Sequence, residues 1–374
     1  MHGITILFGI NQFLALNRLS QELENVRGAF RWSVEEAALD TALTLFVSLE
    51  VFWSAHGCPS DFLALVDATV GEDGMSVDEE LRARALWIAG FQGARGRELE
   101  RPERLYRKSL ELFRKLGKGY ETVRGLSELA IVVEERGQKA EATELAEEAL
   151  AIAHELDDLR AISAASISLA TITYWRGDYA RSADLYEDAL RVRRQAKDGP
   201  GPIASSLYNI GLCARALEDY DRAEWALREA LAVATLAGHS VFIGNSAAGL
   251  GYVMLGQGDL DAARSWLRQG LDVFVEIANP TWTASTLNLA AAIAVSGRDN
   301  LTAARLWGAV DVLLRETISE GADTLVRKRF EPAARSALGA GPFEAAVAEG
   351  RRMPVDEAVR LALEVAGGGA DASS

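Results

Sequence analysis

Residues 176–190 read Arg176-Gly177-Asp178-Tyr179-Ala180-Arg181-Ser182-Ala183-Asp184-Leu185-Tyr186-Glu187-Asp188-Ala189-Leu190, a Gly-Asp turn running into an amphipathic helix. The same arrangement recurs at Gly258-Asp259-Leu260-Asp261-Ala262-Ala263-Arg264-Ser265-Trp266-Leu267. With the turn glycine as anchor, equivalent points fall at Gly57, Arg97, Gly137, Gly177, Glu218, Gly258 and Arg298, in steps of 40, 40, 40, 41, 40 and 40 residues. Other columns keep the same ruler. Eight residues before each anchor stand Leu49, Ala89, Leu129, Leu169, Ile210, Leu250 and Ala290, and the next position holds Glu50, Gly90, Ala130, Ala170, Gly211, Gly251 and Ala291. Twelve residues after each anchor stand Thr69, Ser109, Ala149, Ala189, Ala230, Gly270 and Val310, followed by Val70, Leu110, Leu150, Leu190, Leu231, Leu271 and Asp311. Agreement is strongest from Gly137 to Gly258 and weakest at Gly57, where Cys58-Pro59-Ser60 replaces the usual turn.

A small residue lets two helices approach closely, and the leucine beside it fills the groove between them. Glycine frees the backbone to end one helix, and the aspartate after it can cap the next. Each unit is therefore a helix, a turn and a second helix of about 16 residues each, about 25 Å long. A lone hairpin cannot bury its apolar face, so successive hairpins must stack. No strand-like alternation of useful length occurs, and the expectation is an all-α chain.

The pattern resembles the tetratricopeptide repeat (TPR). The family's Leu-Gly pair matches Ile210-Gly211 and Leu250-Gly251, its Gly-Asp-Tyr turn matches Gly177-Asp178-Tyr179, and its Ala-Leu matches Ala149-Leu150, Ala189-Leu190 and Ala230-Leu231. The period departs from it, since TPR units are typically about 34 residues, and longer helices or longer inter-repeat turns must absorb the difference. The resemblance implies a TPR-like, right-handed α-solenoid of about seven helical hairpins. The expected organisation is an N-terminal segment 1–14, disordered or a relic, a repeat array 15–317, capping helices 318–366, and a flexible tail 367–374. A cap is expected because an array end exposes an apolar face.

Both ends carry a further resemblance. The stretch Leu16-Asn17-Arg18-Leu19-Ser20-Gln21-Glu22-Leu23-Glu24-Asn25-Val26-Arg27-Gly28-Ala29-Phe30-Arg31-Trp32 is similar to the lead-in helix of STAND-class regulators, where an ATPase module meets the repeats. Ala303-Ala304-Arg305-Leu306-Trp307-Gly308-Ala309 and, after it, Phe343-Glu344-Ala345-Ala346-Val347-Ala348-Glu349-Gly350-Arg351-Arg352-Met353 resemble the closing signature of LuxR-like and AfsR-like ATPase regulators. No G-x-x-x-x-G-K-[ST] occurs, so no backbone cradle for a triphosphate is expected, and no DNA-reading domain is expected in the few residues after the closing signature. The resemblance therefore implies the sensor region of such a regulator, with an ATPase supplied in cis or in trans.

Charge and cysteine usage narrow the function. Asp and Glu number 54 against 39 Lys and Arg, a net charge of -15. Nucleic-acid affinity comes from cationic side chains displacing counterions, so direct DNA or RNA binding is not expected. Two distant cysteines, Cys58 and Cys213, form neither a disulfide framework nor a metal pair and suit a reducing cytoplasm. No apolar run reaches the roughly 18 residues needed to span a bilayer.

Other constellations read as structural. Gly90, Gly93 and Gly96 lie within a helix, where they favour close packing over a phosphate loop. His154, near Asp157 and Asp158, lacks a second histidine, and Arg327-Lys328-Arg329 reads as a solvated helix face. No catalytic arrangement can be assembled from four scattered histidines, so no enzyme activity and no cofactor are expected. In TPR-like solenoids the first helices line the concave face. On that carry-over the groove residues are Arg84, Trp87, Phe91, Arg124, Ser127, Glu134, Thr171, Tyr174, Tyr208, Arg215, Asn245, Tyr252 and Asn288. The expected partners are protein or peptide segments, or a small-molecule inducer; a free-standing TPR scaffold unrelated to transcription is the alternative.

Overall fold

The computed structural model describes residues 19, 22–50, 52–53, 58–59, 62–64, 66–67, 77–94, 98–277, 280–314 and 322–368. Among them every regular element is a helix, and the fold is the TPR-like α-solenoid expected. The chain divides into two compact units, Met1–Ile172 with Arg191–Gly199, and Thr173–Leu190 with Pro200–Ser374. Unit 1 contains α1 (Leu23–Glu35), α2 (Leu39–Ser48), α3 (Glu79–Gly93), α4 (Glu100–Lys115), α5 (Gly119–Glu135), α6 (Lys139–Glu155) and most of α7 (Leu159–Trp175). Unit 2 contains most of α8 (Tyr179–Gln195), then α9 (Pro200–Ala216), α10 (Tyr220–Ala237), α11 (Ser240–Gln257), α12 (Leu260–Glu276), α13 (Pro280–Ser296), α14 (Asn300–Leu313), α15 (Ala322–Leu338), α16 (Ala340–Gly350) and α17 (Val355–Ala366). In unit 1 each helix from α1 to α5 packs on the next. In unit 2, α9, α11 and α13 also pack on one another directly, so the first helices of successive hairpins lie side by side.

The forty-residue period has a simple local origin. Helices α5, α6, α7 and α8 are each 17 residues long. Only three residues separate neighbours, as at 136–138 and 156–158, so the length beyond a typical repeat lies in the helices and not in the loops. Every such turn is built alike. One residue adopts positive φ: Gly137, Gly177 and Gly258 at 82°, 85° and 84°, but also Glu218 at 58° and Arg298 at 67°. The turns between repeats do the same at Ala37, Gly117, Asp157, Lys197 and Gly238. The amide after the left-handed residue then reaches back to the preceding helix, as Asp178 N donates to Thr173 O at 3.2 Å and Asp259 N to Met254 O at 2.9 Å, closing the helix end. The aspartate side chain caps the next helix: Asp178, Asp219, Asp259 and Asp299 accept from the amides of Arg181, Arg222, Ala262 and Thr302. The anchors Gly57 and Arg97 lie outside the described residues.

A side chain with a Cβ costs roughly 1–2 kcal/mol in the left-handed region. Lys197 and Arg298 occupy it on exposed turns. Replacing either with glycine is expected to stabilise the chain by about 1 kcal/mol, after the entropic cost of glycine, read as a rise in melting temperature. Loss of stability would mean that these turns are not left-handed.

The small-residue columns are where helices cross. A Cβ on Gly211 would sit 2.6 Å from Leu227, and one on Gly251 would sit 2.6 Å from Leu289. Ala130, Ala170, Ala149, Ala189 and Ala230 are completely buried. Gly90 follows the same rule, its missing Cβ lying 3.0 Å from the Tyr106 ring, which supports the packing reading of that glycine run; Gly96 lies outside the described residues.

Each unit has its own large-residue cluster. Unit 1 begins in an aromatic cluster, Phe30, Phe46, Trp53 and Phe62, each essentially without exposure. Unit 2 ends where α14 crosses α16 backbone to backbone: a Cβ on Gly350 would lie 1.9 Å from the Arg305 carbonyl oxygen, and one on Gly308 would lie 2.1 Å from that of Val347. Asp311, in a column that is otherwise mostly leucine, accepts from Arg327 at 2.6 Å and from Arg351 at 2.7 Å. Helices α15 and α17 pack on α13, and α16 packs on α14, which buries Trp307, Phe343 and Val347. Arg327 is thus half-buried and paired and is not the solvated group its sequence context suggests. The opening segment 1–14 and residues 369–374 lie outside the described residues.

Candidate functional site

In unit 1 the first helices α3, α5 and α7 bring cations and rings together. Trp87 and Phe91, one turn apart on α3, stack at 5.5 Å with an interplanar angle of 11°. The Arg124 guanidinium from α5 lies 3.8 Å from the Trp87 ring centroid. Tyr120, one turn before Arg124, is 5.9 Å from that guanidinium and 4.9 Å from the guanidinium of Arg160 on α7. The result is a ladder, Phe91–Trp87–Arg124–Tyr120–Arg160, running across three successive first helices. Stacking on a ring face holds a guanidinium in place while its N–H edge stays free to donate. Arg124 also donates to Glu50 at 2.8 Å, and Arg84 lies 3.7 Å from the same carboxylate. Ser127 and Glu134 face inward with little exposure, and Thr171 donates to the Ile167 carbonyl at 2.9 Å. Arg84, Trp87, Phe91 and Arg124 therefore come together, while Ser127, Glu134 and Thr171 are outside the ladder. Sequence reasoning missed Glu50, Tyr120 and Arg160. The last two share a column seventeen residues before their anchors, one turn outside those carried over from the family.

Glu128 stands one turn after Arg124 on α5. Burial pushes its carboxyl up to about 7, against the pull of Arg124. A carboxyl raised in the folded state favours folding while it is neutral. Stability should thus fall as pH rises from about 4.5 to about 7 and then level off. Glu128→Gln is expected to flatten that part of the profile and to gain on the order of 2 kcal/mol near pH 8, allowing for solvent screening. Thermal melts across pH 4–8 check this; an unchanged slope would remove the assignment. Burial raises Glu135 to about 7 as well, so some slope remains in the variant.

In unit 2, Tyr174 sits 5.1 Å from Tyr179, and Tyr208 sits 6.4 Å from Phe242. Asn245, Tyr252 and Asn288 are almost fully buried. Tyr252 donates to the Ser285 carbonyl at 3.0 Å, so its replacement by alanine would disturb packing as well as any groove. Arg215, in the last turn of α9, lies 4.7 Å from the Tyr252 ring. Both line a cavity of about 240 Å³ whose outer wall is α15, through Leu325, Val326, Arg329 and Phe330. Arg329 donates to Glu218 at 3.1 Å. Nothing in the sequence around Arg329 signals this long-range seat.

Among the described residues no group of three or more His, Cys, Asp or Glu side chains is placed to hold a metal ion. Cys213 is buried, its thiol pushed up to about 11 by that burial, and it lies 3.4 Å from the Ser182 hydroxyl, an environment that suits packing rather than nucleophilic attack. No described helix is long and apolar enough to cross a membrane.

Comparison with known proteins agrees with this architecture. Tetratricopeptide repeat families match residues 122–156 and 161–236. Curated proteins give no match. Among solved structures, the chain is similar to a Rap protein complexed with Competence and Sporulation Factor, at 15% identity and a TM-score of 0.62, covering 95% of this chain and 98% of that one. It is also similar to a signal transduction ATPase with numerous domains (STAND) with a tetratricopeptide repeat sensor from Pyrococcus horikoshii. There the identity is 14% and the TM-score 0.55, covering 88% of this chain and 54% of that one, so the chain spans about half of that protein's length. Residues 122–156 and 161–236 thus carry tetratricopeptide repeats, within a chain whose fold is the helical solenoid of these structures.

Proposed function

We propose that this chain is the sensor region of a STAND-type regulator, capturing a protein or peptide segment on the ladder of unit 1 and passing the bound state to an ATPase module in cis or in trans. The observation that carries the reading is the ladder itself. Five side chains from three successive first helices stack as a ring pair, a charge, a ring and a charge, with Arg124 held by Glu50 on one side and Trp87 on another. Phe91 and Tyr120, half-buried, and Arg160, exposed, offer apolar faces and N–H donors at low entropic cost, as interface anchors do, with Trp87 buried between Phe91 and Arg124. Its cations favour a segment carrying acidic and aromatic side chains. The STAND resemblance of both chain ends, and the likeness to a STAND protein with a TPR sensor, support the regulatory role. A free-standing scaffold is the second reading. In its favour is the match over nearly the whole length of a Rap chain, a protein solved with a bound factor.

Capture is tested by selecting peptides from a random display library on the full chain. The wild type should enrich acidic, aromatic sequences. The Arg124→Ala/Arg160→Ala double variant should bind the enriched peptides at least about tenfold more weakly, with an unchanged helical circular dichroism spectrum. No enrichment by the wild type, or equal binding by the variant, would remove the reading.

A further inference from the structure

The cavity of unit 2 holds a guanidinium that no carboxylate among the described residues neutralises. Arg215 makes one contact, with the Tyr252 ring, and its Nε is buried without an acceptor. Acids outnumber bases in this protein 54 to 39, yet no described acid is placed against it. A buried donor left unpaired costs free energy and calls for an explanation. The rest of the lining supplies one. Two arginines and one glutamate border the cavity, and Arg329 is paired with Glu218, which leaves a single positive charge. Leu255, Leu325, Val326 and Phe330 supply an apolar wall, completed by the rings of Tyr179, Tyr220 and Tyr252. The volume of about 240 Å³ lies below the roughly 300–1,000 Å³ of drug-sized sites, too small for a folded segment or a nucleotide. One positive charge suits one carboxylate better than a doubly charged phosphate.

We propose that this cavity binds a small monocarboxylate with an apolar body, an acyl or aryl acid, its charge on Arg215 and its body against Leu255, Val326 and Phe330. The proposal deepens the sensor reading and rests on it for physiological meaning, since it gives the effector a chemical class. Bound between α9 and α15, the acid would also tie α15 to the first-helix face that Arg329 already touches through Glu218.

Calorimetric titration of the full chain with octanoate, 3-phenylpropionate, N-acetyl-glycyl-phenylalanine and octanamide tests the site. At least one acid should bind at one site, at least about tenfold more tightly than octanamide, and should raise the melting temperature. Tightest binding of the dipeptide would assign the carboxylate to a peptide C-terminus, and tightest binding of octanoate to a fatty acid. Arg215→Gln should abolish the preference for acid over amide without lowering the melting temperature of the free protein. Leu325→Trp, which fills the cavity from an exposed position, should weaken every ligand. Absence of binding by all three acids, equal binding of octanamide, or an unaltered preference in Arg215→Gln would overturn the proposal. Peptide capture without acid binding would sink this inference alone; acid binding without peptide capture would sink the capture reading alone.

Discussion

Gly350→Val is expected to detach helices α15–α17 from the end of the array. The crossing of α14 over α16 leaves no room for a side chain: the nearest atoms to a Cβ at Gly350 are the carbonyl oxygen, carbonyl carbon and Cα of Arg305, the closest at 1.9 Å. Backbone cannot rotate aside as a side chain can, so the helices must separate. Overpacking costs typically about 1–3 kcal/mol where side chains can yield, and here the loss should reach or exceed the top of that range. Separation would also pull Arg351 from Asp311 and uncover Trp307 and Phe343, which are fully buried. Gly308→Val attacks the same crossing from the other side and should behave alike. Gly341→Ala is the internal control, since it lies on the same helix with open space around it, and it should be neutral or stabilising by up to about 1 kcal/mol. Scanning calorimetry and limited proteolysis read the outcome. Early cleavage within 322–366 in the valine variants only is the expected result; equal behaviour of all three would mean that this crossing is absent.

Trp53→Ala should have the second large effect, in unit 1. The indole is completely buried, lies 5.2 Å from Phe62 and 6.1 Å from Phe46, and donates from Nε1 to the Phe46 carbonyl at 2.9 Å. Removing a buried tryptophan costs about 3–5 kcal/mol. The loss should fall on unit 1, because every ring of this cluster belongs to it. Trp53→Phe keeps most of the apolar contact and loses only the indole hydrogen bond, since the Phe46 carbonyl still accepts from Leu49 N at 3.3 Å, and should lose about 0.5–1.5 kcal/mol. Urea unfolding should reveal an early transition in Trp53→Ala that the wild type lacks. A single transition at the wild-type midpoint would show that the cluster does not support the fold.

The parts of this fold that were legible in the sequence are those whose geometry permits few residue types. Helix crossings accept only small residues, so Gly211, Gly251 and Ala130 marked the period. Left-handed turns followed by a capping aspartate marked Gly177-Asp178 and Gly258-Asp259. The turns between repeats were not read, because Ala37, Asp157 and Lys197 accept the same strained backbone without glycine. The repeat length went into the helices for the same reason, since both kinds of turn are equally short. The site was legible by column only. Arg124, Trp87 and Phe91 stand in the groove columns carried over from the family, whereas Tyr120 and Arg160 stand one turn outside them and Glu50 occupies the column that is otherwise small, where no charged group is expected. The wall that α15 supplies to the unit 2 cavity was hidden likewise, since Arg329 reaches Glu218 across 111 residues.

A crystal structure of the full chain tests the central claim most directly. Helices of 17 or 18 residues should alternate with turns of two to four residues, positive φ should recur at residues 117, 137, 157, 177, 197, 218, 238 and 258, and the Arg124 guanidinium should lie over the Trp87 ring. A helix running unbroken through Gly137 or Gly177, or a strand anywhere between residues 98 and 277, would contradict it.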